Sequence, residues 1–319
     1  MKKSIRYYLK YKLLVSTLFA IVLLSCTNQN KKVSLEFTNY PNLKIGFTTQ
    51  NFKEALPLDV ESLTEIIEYA SREGYHFIEL RDNTAKLTIE ECKKIADVAK
   101  KNKIEIIYEI HKNPLDSGFF QVFERGLNNS LLFPGPGILR TIISYSEFEN
   151  DLNKKGWTRD ELTKLVKLSD SCAQIAKEKD IQFMVENFNE PFFGDSLTYF
   201  GLADFFANTA NTGFQFDVSN PFSGTSREKA DVENVVQYLS IMGTRWVTTH
   251  LKTIHVMGGR MQPVLTENPL PVEKVVALMG QQDIIYASLE LASVDNKQQC
   301  FNNHAASIQF LKDKGVLKK

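Results

Sequence analysis

From Leu43 to Lys312 the chain alternates two kinds of segment. Short runs of five to seven apolar or alternating residues read as strands, and longer runs with apolar positions three and four apart read as amphipathic helices. The pattern predicts strands at Leu43–Thr48, His76–Leu80, Ile104–Ile110, Ile138–Ser144, Ile181–Glu186, Gly213–Asp217, Arg245–His250 and Ile284–Glu290. It predicts helices at Val60–Glu73, Ile89–Lys101, Phe119–Leu127, Thr158–Glu178, Gly201–Ala210, Ala230–Ile241, Val272–Met279 and Asn296–Lys312, with Asp59 and Thr88 as N-caps of the first two. Eight strands alternating with eight helices imply parallel pairing and right-handed crossovers. The expected fold is a single-domain α/β (β/α)8 TIM barrel, parallel and eight-stranded, over 43–316. A doubly wound open sheet is the alternative, but the loop after the first strand, Thr48-Thr49-Gln50-Asn51-Phe52, has no glycine to cradle a phosphate.

Four of these strands end in a residue type that binds metals. Glu186, Asp217, His250 and Glu290 close the fifth to eighth strands, 31, 33 and 40 residues apart, about one strand-plus-helix unit each time. Along each strand the ligand candidate shares its face with the residues two and four back: Met184 and Gln182, Gln215 and Gly213, Thr248 and Trp246, Ser288 and Tyr286. The opposite faces carry Val185, Phe183 and Ile181, Phe216 and Phe214, Val247, Leu289 and Ala287, and are the more apolar. A lone carboxylate at a strand end is usually a surface group or a helix cap. Four ionisable residues on consecutive strands, one of them a histidine, point instead to one divalent ion in the barrel mouth. Mn²⁺ is the first choice, with Mg²⁺, Co²⁺ or Zn²⁺ also compatible with three carboxylates and one imidazole.

The formal charge is zero, 38 basic against 38 acidic residues, but the balance is uneven. Residues 1–26 carry Lys2, Lys3, Arg6, Lys10 and Lys12 and no acid, which leaves 33 basic against 38 acidic residues in the remainder. A mildly acidic domain is a poor partner for nucleic acid. The basic start runs into Leu13–Leu24, too short for a comfortable membrane span, and ends in Leu23-Leu24-Ser25-Cys26. That ending resembles the lipobox of bacterial lipoproteins. It implies a signal peptide over 1–26, lipidation of Cys26, a polar tether over 27–42 and a place in the cell envelope, attached to a membrane by the lipid. A plain signal peptide or an anchor helix is the alternative. Cys92, Cys172 and Cys300 lie far apart in predicted helices and form neither a disulfide framework nor a zinc motif.

Glu186-Asn187, Phe216-Asp217-Val218, His250-Leu251-Lys252 and Leu289-Glu290-Leu291 resemble the strand ends of the xylose-isomerase-like TIM barrel family, the sugar phosphate isomerase/epimerase superfamily. Lys44-Ile45-Gly46 and Phe77-Ile78-Glu79-Leu80 are similar too, so the resemblance spans 43–316. It implies an isomerase or epimerase in which a metal chelates a sugar carbonyl and the neighbouring hydroxyl. Glu186 and Glu290 would move the proton through an enediolate, while Asp217 and His250 mainly hold the ion. Epimerases of the family often place a histidine three residues after the aspartate, where this chain has Asn220, and an arginine shortly after the histidine, for which Arg260 is the candidate.

Lys252, His111 and Glu79 are further candidates for substrate contact, each of which could instead serve in an ion pair or a loop. The partner is then a small carbohydrate, and an unphosphorylated sugar or keto-sugar suits an exported protein. Three alternatives remain: a lyase or dehydratase, including one that cleaves keto-glycosides; a non-catalytic sugar-binding lipoprotein; and an endonuclease-IV-like enzyme. The last needs three zinc ions and more than the five histidines present.

Overall fold

The computed structural model describes residues 34–144, 156–188, 190–195, 197–222, 230–254 and 261–319. Eight parallel strands close into a barrel in chain order: β1 Lys44–Thr48, β2 Phe77–Arg81, β3 Glu105–Glu109, β4 Ile138–Ile142, β5 Gln182–Glu186, β6 Gly213–Asp217, β7 Trp246–Leu251 and β8 Tyr286–Leu289. The described residues hold eight α-helices between and after them: α1 Val60–Glu73, α2 Ile89–Asn102, α3 Phe119–Ser130, α4 Arg159–Lys177, α5 Leu202–Asn208, α6 Val232–Met242, α7 Val272–Gln281 and α8 Lys297–Asp313. Every predicted element is present, with ends displaced by a few residues where caps decide the boundary. Thr88 with Glu91, and Thr158 with Glu161, form capping boxes that satisfy the free N–H groups at the starts of α2 and α4.

The main apolar core is the shell between strands and helices, where Phe183, Val185, Phe214, Phe216 and Leu289 face outward from the barrel. A smaller apolar layer, Phe77, Ile107, Ile138, Met184 and Tyr286, plugs the barrel interior. Gly46 makes room for that plug, since a Cβ there would lie 2.4 Å from the Phe77 carbonyl oxygen.

Strict alternation predicted Trp246 inside and Val247 outside. The structure reverses both, because the β6–β7 register slips between Phe214 and Gln215, which pair with Trp246 and Thr248. This bulge turns Trp246 out against Phe216, sends Val247 against the interior plug, and restores Thr248 and His250 to the inside.

The stretch expected as a tether is partly packed. Leu35 and Phe37 are buried, Leu35 N–H donates to the Gly74 carbonyl at the end of α1, and Phe37 bridges to Leu317. The compact unit therefore begins at Leu35. Its first ten residues lie at the end of the barrel where the strands start, opposite the mouth. The segment expected to be a signal peptide, with Cys26, falls outside the described residues, as does Arg260. Among those described, no helix is long and apolar enough to cross a membrane. Cys92, Cys172 and Cys300 are buried free thiols.

Candidate metal centre

Strand register brings the four strand-end residues together. Glu186, Asp217, His250 and Glu290 are all buried, and one ligand atom from each lies within 4.8 Å of the others. His250 Nδ1 is 2.7 Å from Glu186 Oε1, 3.1 Å from Glu290 Oε2 and 3.9 Å from Asp217 Oδ2. The remaining atoms of each group are held from behind. Asp217 Oδ1 accepts from the Ser219 and Asn220 backbone N–H groups, at 2.9 and 3.0 Å, which leaves Oδ2 pointing inward. Asn187 clamps the Asp217 backbone, accepting from its N–H at 2.8 Å and donating to its carbonyl at 3.2 Å. Asn51, in the turn after β1, does the same around Glu290 by donating to the Leu289 carbonyl and accepting from the Leu291 N–H.

Behind these ligands lies a polar layer that the sequence reading did not assemble. Arg140, from the middle of β4, is fully buried and pairs with Glu109 Oε2 at 2.7 Å and Glu186 Oε2 at 2.8 Å. Glu79 sits behind His250, not in the mouth. Its Oε2 is 2.5 Å from His250 Nε2, and its Oε1 accepts from Gln215 at 2.7 Å. The cause is the strand geometry: Glu79 stands two residues before the end of β2, so it points into the barrel below the mouth. Glu79 pairs neither with Arg81, which bonds Asn83, nor with Lys44, which bonds Glu105. Glu79, Glu109 and His250 are themselves a second cluster of ligand type, and there Arg140 already supplies the positive charge.

Lys252 is buried with its ammonium 2.9 Å from Asp217 Oδ2 and 3.0 Å from Glu290 Oε2. His111 stands at the rim against Arg81 and edge-on to Phe188, 6.4 Å between ring centres. Arg81 Nη1 reaches Glu290 Oε1 at 3.8 Å. Asn220 is buried, and its amide donates to the Asn187 carbonyl and accepts from Lys252, so it braces the loop.

The proton affinities follow from burial and these charges. Burial pushes the Asp217 carboxyl up to about 6 against the pull of Lys252. Burial would raise Glu186 as well, but Arg140 and His250 outweigh it and bring it down to about 2. Glu290 goes the same way, its burial overcome by Lys252 and His250. Burial opposes the charged imidazolium of His250, yet Glu79, Glu186 and Glu290 hold its pKa well above the ordinary value. Burial, then Arg81, depresses His111 to about 3.

The donor set fits a divalent ion. Three carboxylate oxygens and one imidazole nitrogen are ligands such an ion takes, and Asp217 Oδ2 and Glu290 Oε2 already hold one cation, the Lys252 ammonium, between them. With Nε2 turned to Glu79, His250 presents Nδ1 to the cluster, and a carboxylate behind a histidine in this way fixes the orientation of its ring for a metal.

No family model matches the chain, and no curated protein matches it in sequence. Solved structures do match in shape. A sugar phosphate isomerase/epimerase from Parabacteroides distasonis superposes with a TM-score of 0.61 at 12% identity, covering 89% of this chain and 98% of that one. A D-allulose 3-epimerase from Methylomonas, in complex with D-allulose, gives 0.61 at 13% identity over 88% and 99%. A xylose isomerase-like TIM barrel protein from Mycobacterium smegmatis, in complex with magnesium, gives 0.53 at 12% identity over 85% and 97%. At such identities the likeness establishes the fold: a barrel of the shape used by sugar phosphate isomerase/epimerase and xylose isomerase-like proteins.

Proposed function

We propose that the protein is a divalent-metal-dependent isomerase or epimerase acting on a sugar or keto-sugar by proton transfer through an enediolate. The observation that carries this reading is a buried cluster in which Glu186 Oε1, Glu290 Oε2 and Asp217 Oδ2 lie 2.7, 3.1 and 3.9 Å from His250 Nδ1. A bound ion would polarise the substrate carbonyl and make the neighbouring C–H acidic. The protein's own groups do the rest. Asp217 and His250 are locked by Asn187 and Glu79 and serve to hold the ion. Glu186 has one oxygen against His250 and the other against Arg140. Glu290 Oε1 meets Arg81 at the longer distance of 3.8 Å, so we assign Glu290 the first removal of the carbon-bound proton, which it then returns to the adjacent carbon or leaves for Glu186 to replace. Lys252, beside Asp217 and Glu290, and His111, beside Arg81, suit contact with substrate oxygens. Phe188 beside His111 offers an apolar face for a sugar ring.

The reading is tested by incubating the Mn²⁺-loaded protein with unphosphorylated keto-sugars in D₂O. Deuterium should enter at the carbon beside the carbonyl, and Glu290→Gln and Glu186→Gln should abolish exchange while retaining part of the bound metal. Full turnover by either variant would remove that glutamate from the mechanism.

We also propose that Cys26 carries a lipid and holds the protein in the bacterial cell envelope, on the strength of the basic–apolar–Leu-Ser-Cys order. A mass shift of a diacylglycerol on Cys26, absent in Cys26→Ala, is the expected result.

A further inference from the structure

We propose that the Lys252 ammonium is the resident counter-ion of the metal centre: it occupies the centre when no metal is bound, and a divalent ion enters by displacing it. The proposal rests on the metal-dependent reading above and adds to it what fills the site otherwise.

Lys252 follows His250 by two residues at the end of β7, and its side chain turns back into the barrel. Its Nζ lies 2.9 and 3.0 Å from Asp217 Oδ2 and Glu290 Oε2. These are two of the four atoms that would bind the ion. Neither can be exchanged for its partner oxygen at little cost. Asp217 Oδ1 is held by two backbone N–H groups, and Glu290 Oε1 faces Arg81. One pair of oxygens therefore serves two cations. A divalent ion bound at about 2.0–2.3 Å from them would stand within a few ångströms of the ammonium. In a buried site two positive charges that close repel strongly, so they do not share it.

Two features make the exchange feasible. Asp217 Oδ2 and Glu290 Oε2 hold the ammonium by charge at 2.9 and 3.0 Å, an attraction that a divalent ion satisfies as well. The flexible lysine stem also has another acceptor within reach, Asn220 Oδ1, 3.3 Å from Nζ. That residue is itself fixed by its bond to the Asn187 carbonyl, at 2.8 Å. Lys252 thus compensates the inward oxygens of Asp217 and Glu290 in the metal-free protein, while Arg140 and His250 serve Glu186. It also weakens metal binding, because each ion that enters must break two ion pairs.

The test is Mn²⁺ binding to the full-length chain, followed by equilibrium dialysis, for wild type, Lys252→Met and Lys252→Arg. Lys252→Met should bind one Mn²⁺ about tenfold or more tightly than wild type, a gain of about 1.4 kcal/mol or more. Lys252→Arg, which keeps the charge, should not gain. The metal-free Lys252→Met protein should melt below wild type and recover most of the difference at saturating Mn²⁺; Lys252→Gln repeats the measurement if the methionine variant does not fold. Equal or weaker binding by Lys252→Met and Lys252→Gln, with one ion in wild type, overturns the displacement and leaves the metal centre standing. No Mn²⁺ in any of the proteins overturns both. An ion bound only by the uncharged variants supports displacement in its strongest form.

Discussion

Asn51 grips the chain on both sides of Glu290: its amide donates to the Leu289 carbonyl at 3.1 Å, and its side-chain oxygen accepts from the Leu291 N–H at 2.8 Å. A residue from the first turn thereby orients a carboxylate contributed by the last strand. Its amide nitrogen is also 3.1 Å from Nε2 of the buried His304. Asn51→Ala should free the Glu290 backbone and lower Mn²⁺ affinity about tenfold, since groups supporting ligands are worth about 10–100-fold. Isothermal titration of the folded variant decides it, and unchanged affinity would show that β8 positions Glu290 without help.

Glu79→Gln should weaken metal binding by about 10–100-fold, because the carboxylate that accepts from His250 Nε2 at 2.5 Å becomes a neutral amide. The direction is opposite to that for Lys252→Met. A single set of Mn²⁺ titrations on the two proteins therefore separates a residue that supports a ligand from one that competes for it.

Arg140→Met should cost about 3–5 kcal/mol of stability, since it leaves Glu109 and Glu186 as buried carboxylates without their cation. Urea unfolding of the metal-free proteins measures it. A loss below about 1 kcal/mol would mean that protonation of Glu109, whose carboxyl burial pushes up to about 8, takes over the neutralisation.

The strand ends were legible because each metal-type residue closes its own apolar run at the spacing of one strand-plus-helix unit. The supporting layer was not, for reasons that differ by residue. Arg140 lies in Ile138–Ile142, where one charge among apolar residues does not break a strand, and its inward direction depends on which face β4 presents. Asn51 and its partners at Glu290 are about 240 residues apart, and no local pattern links them. Trp246 and Val247 were misplaced because a bulge resets alternation without a sequence mark. Glu79 was found, but the barrel layer it belongs to was not, since period two gives the face of a strand and not the depth.

His304 offers a pH test away from the candidate metal centre. Burial lowers its pKa from an ordinary 6.5 to about 3, so the folded protein keeps it neutral, between Asn51 and the Tyr75 hydroxyl. The unfolded chain takes up a proton there near pH 6.5 and the folded chain does not until about pH 3. Its contribution is therefore complete above pH 6.5 and is lost as pH falls through that window. Between pH 7 and pH 5 the wild type should lose about 2 kcal/mol more than His304→Phe. Parallel pH profiles for the two proteins would show that His304 does not resist protonation.

The packing of Leu35 and Phe37 gives the molecule a direction. The chain joins the barrel at the end where the strands begin, with Thr38 and Glu36 bonded to Val316 and Lys318. Cys26 is nine residues upstream of Leu35, a reach of at most about 30 Å. If Cys26 carries the proposed lipid, the chain that follows it enters the barrel at the end where the strands begin. Glu290 and Lys252 stand at the other end, where the strands finish, so a substrate would approach them from the side away from that entry.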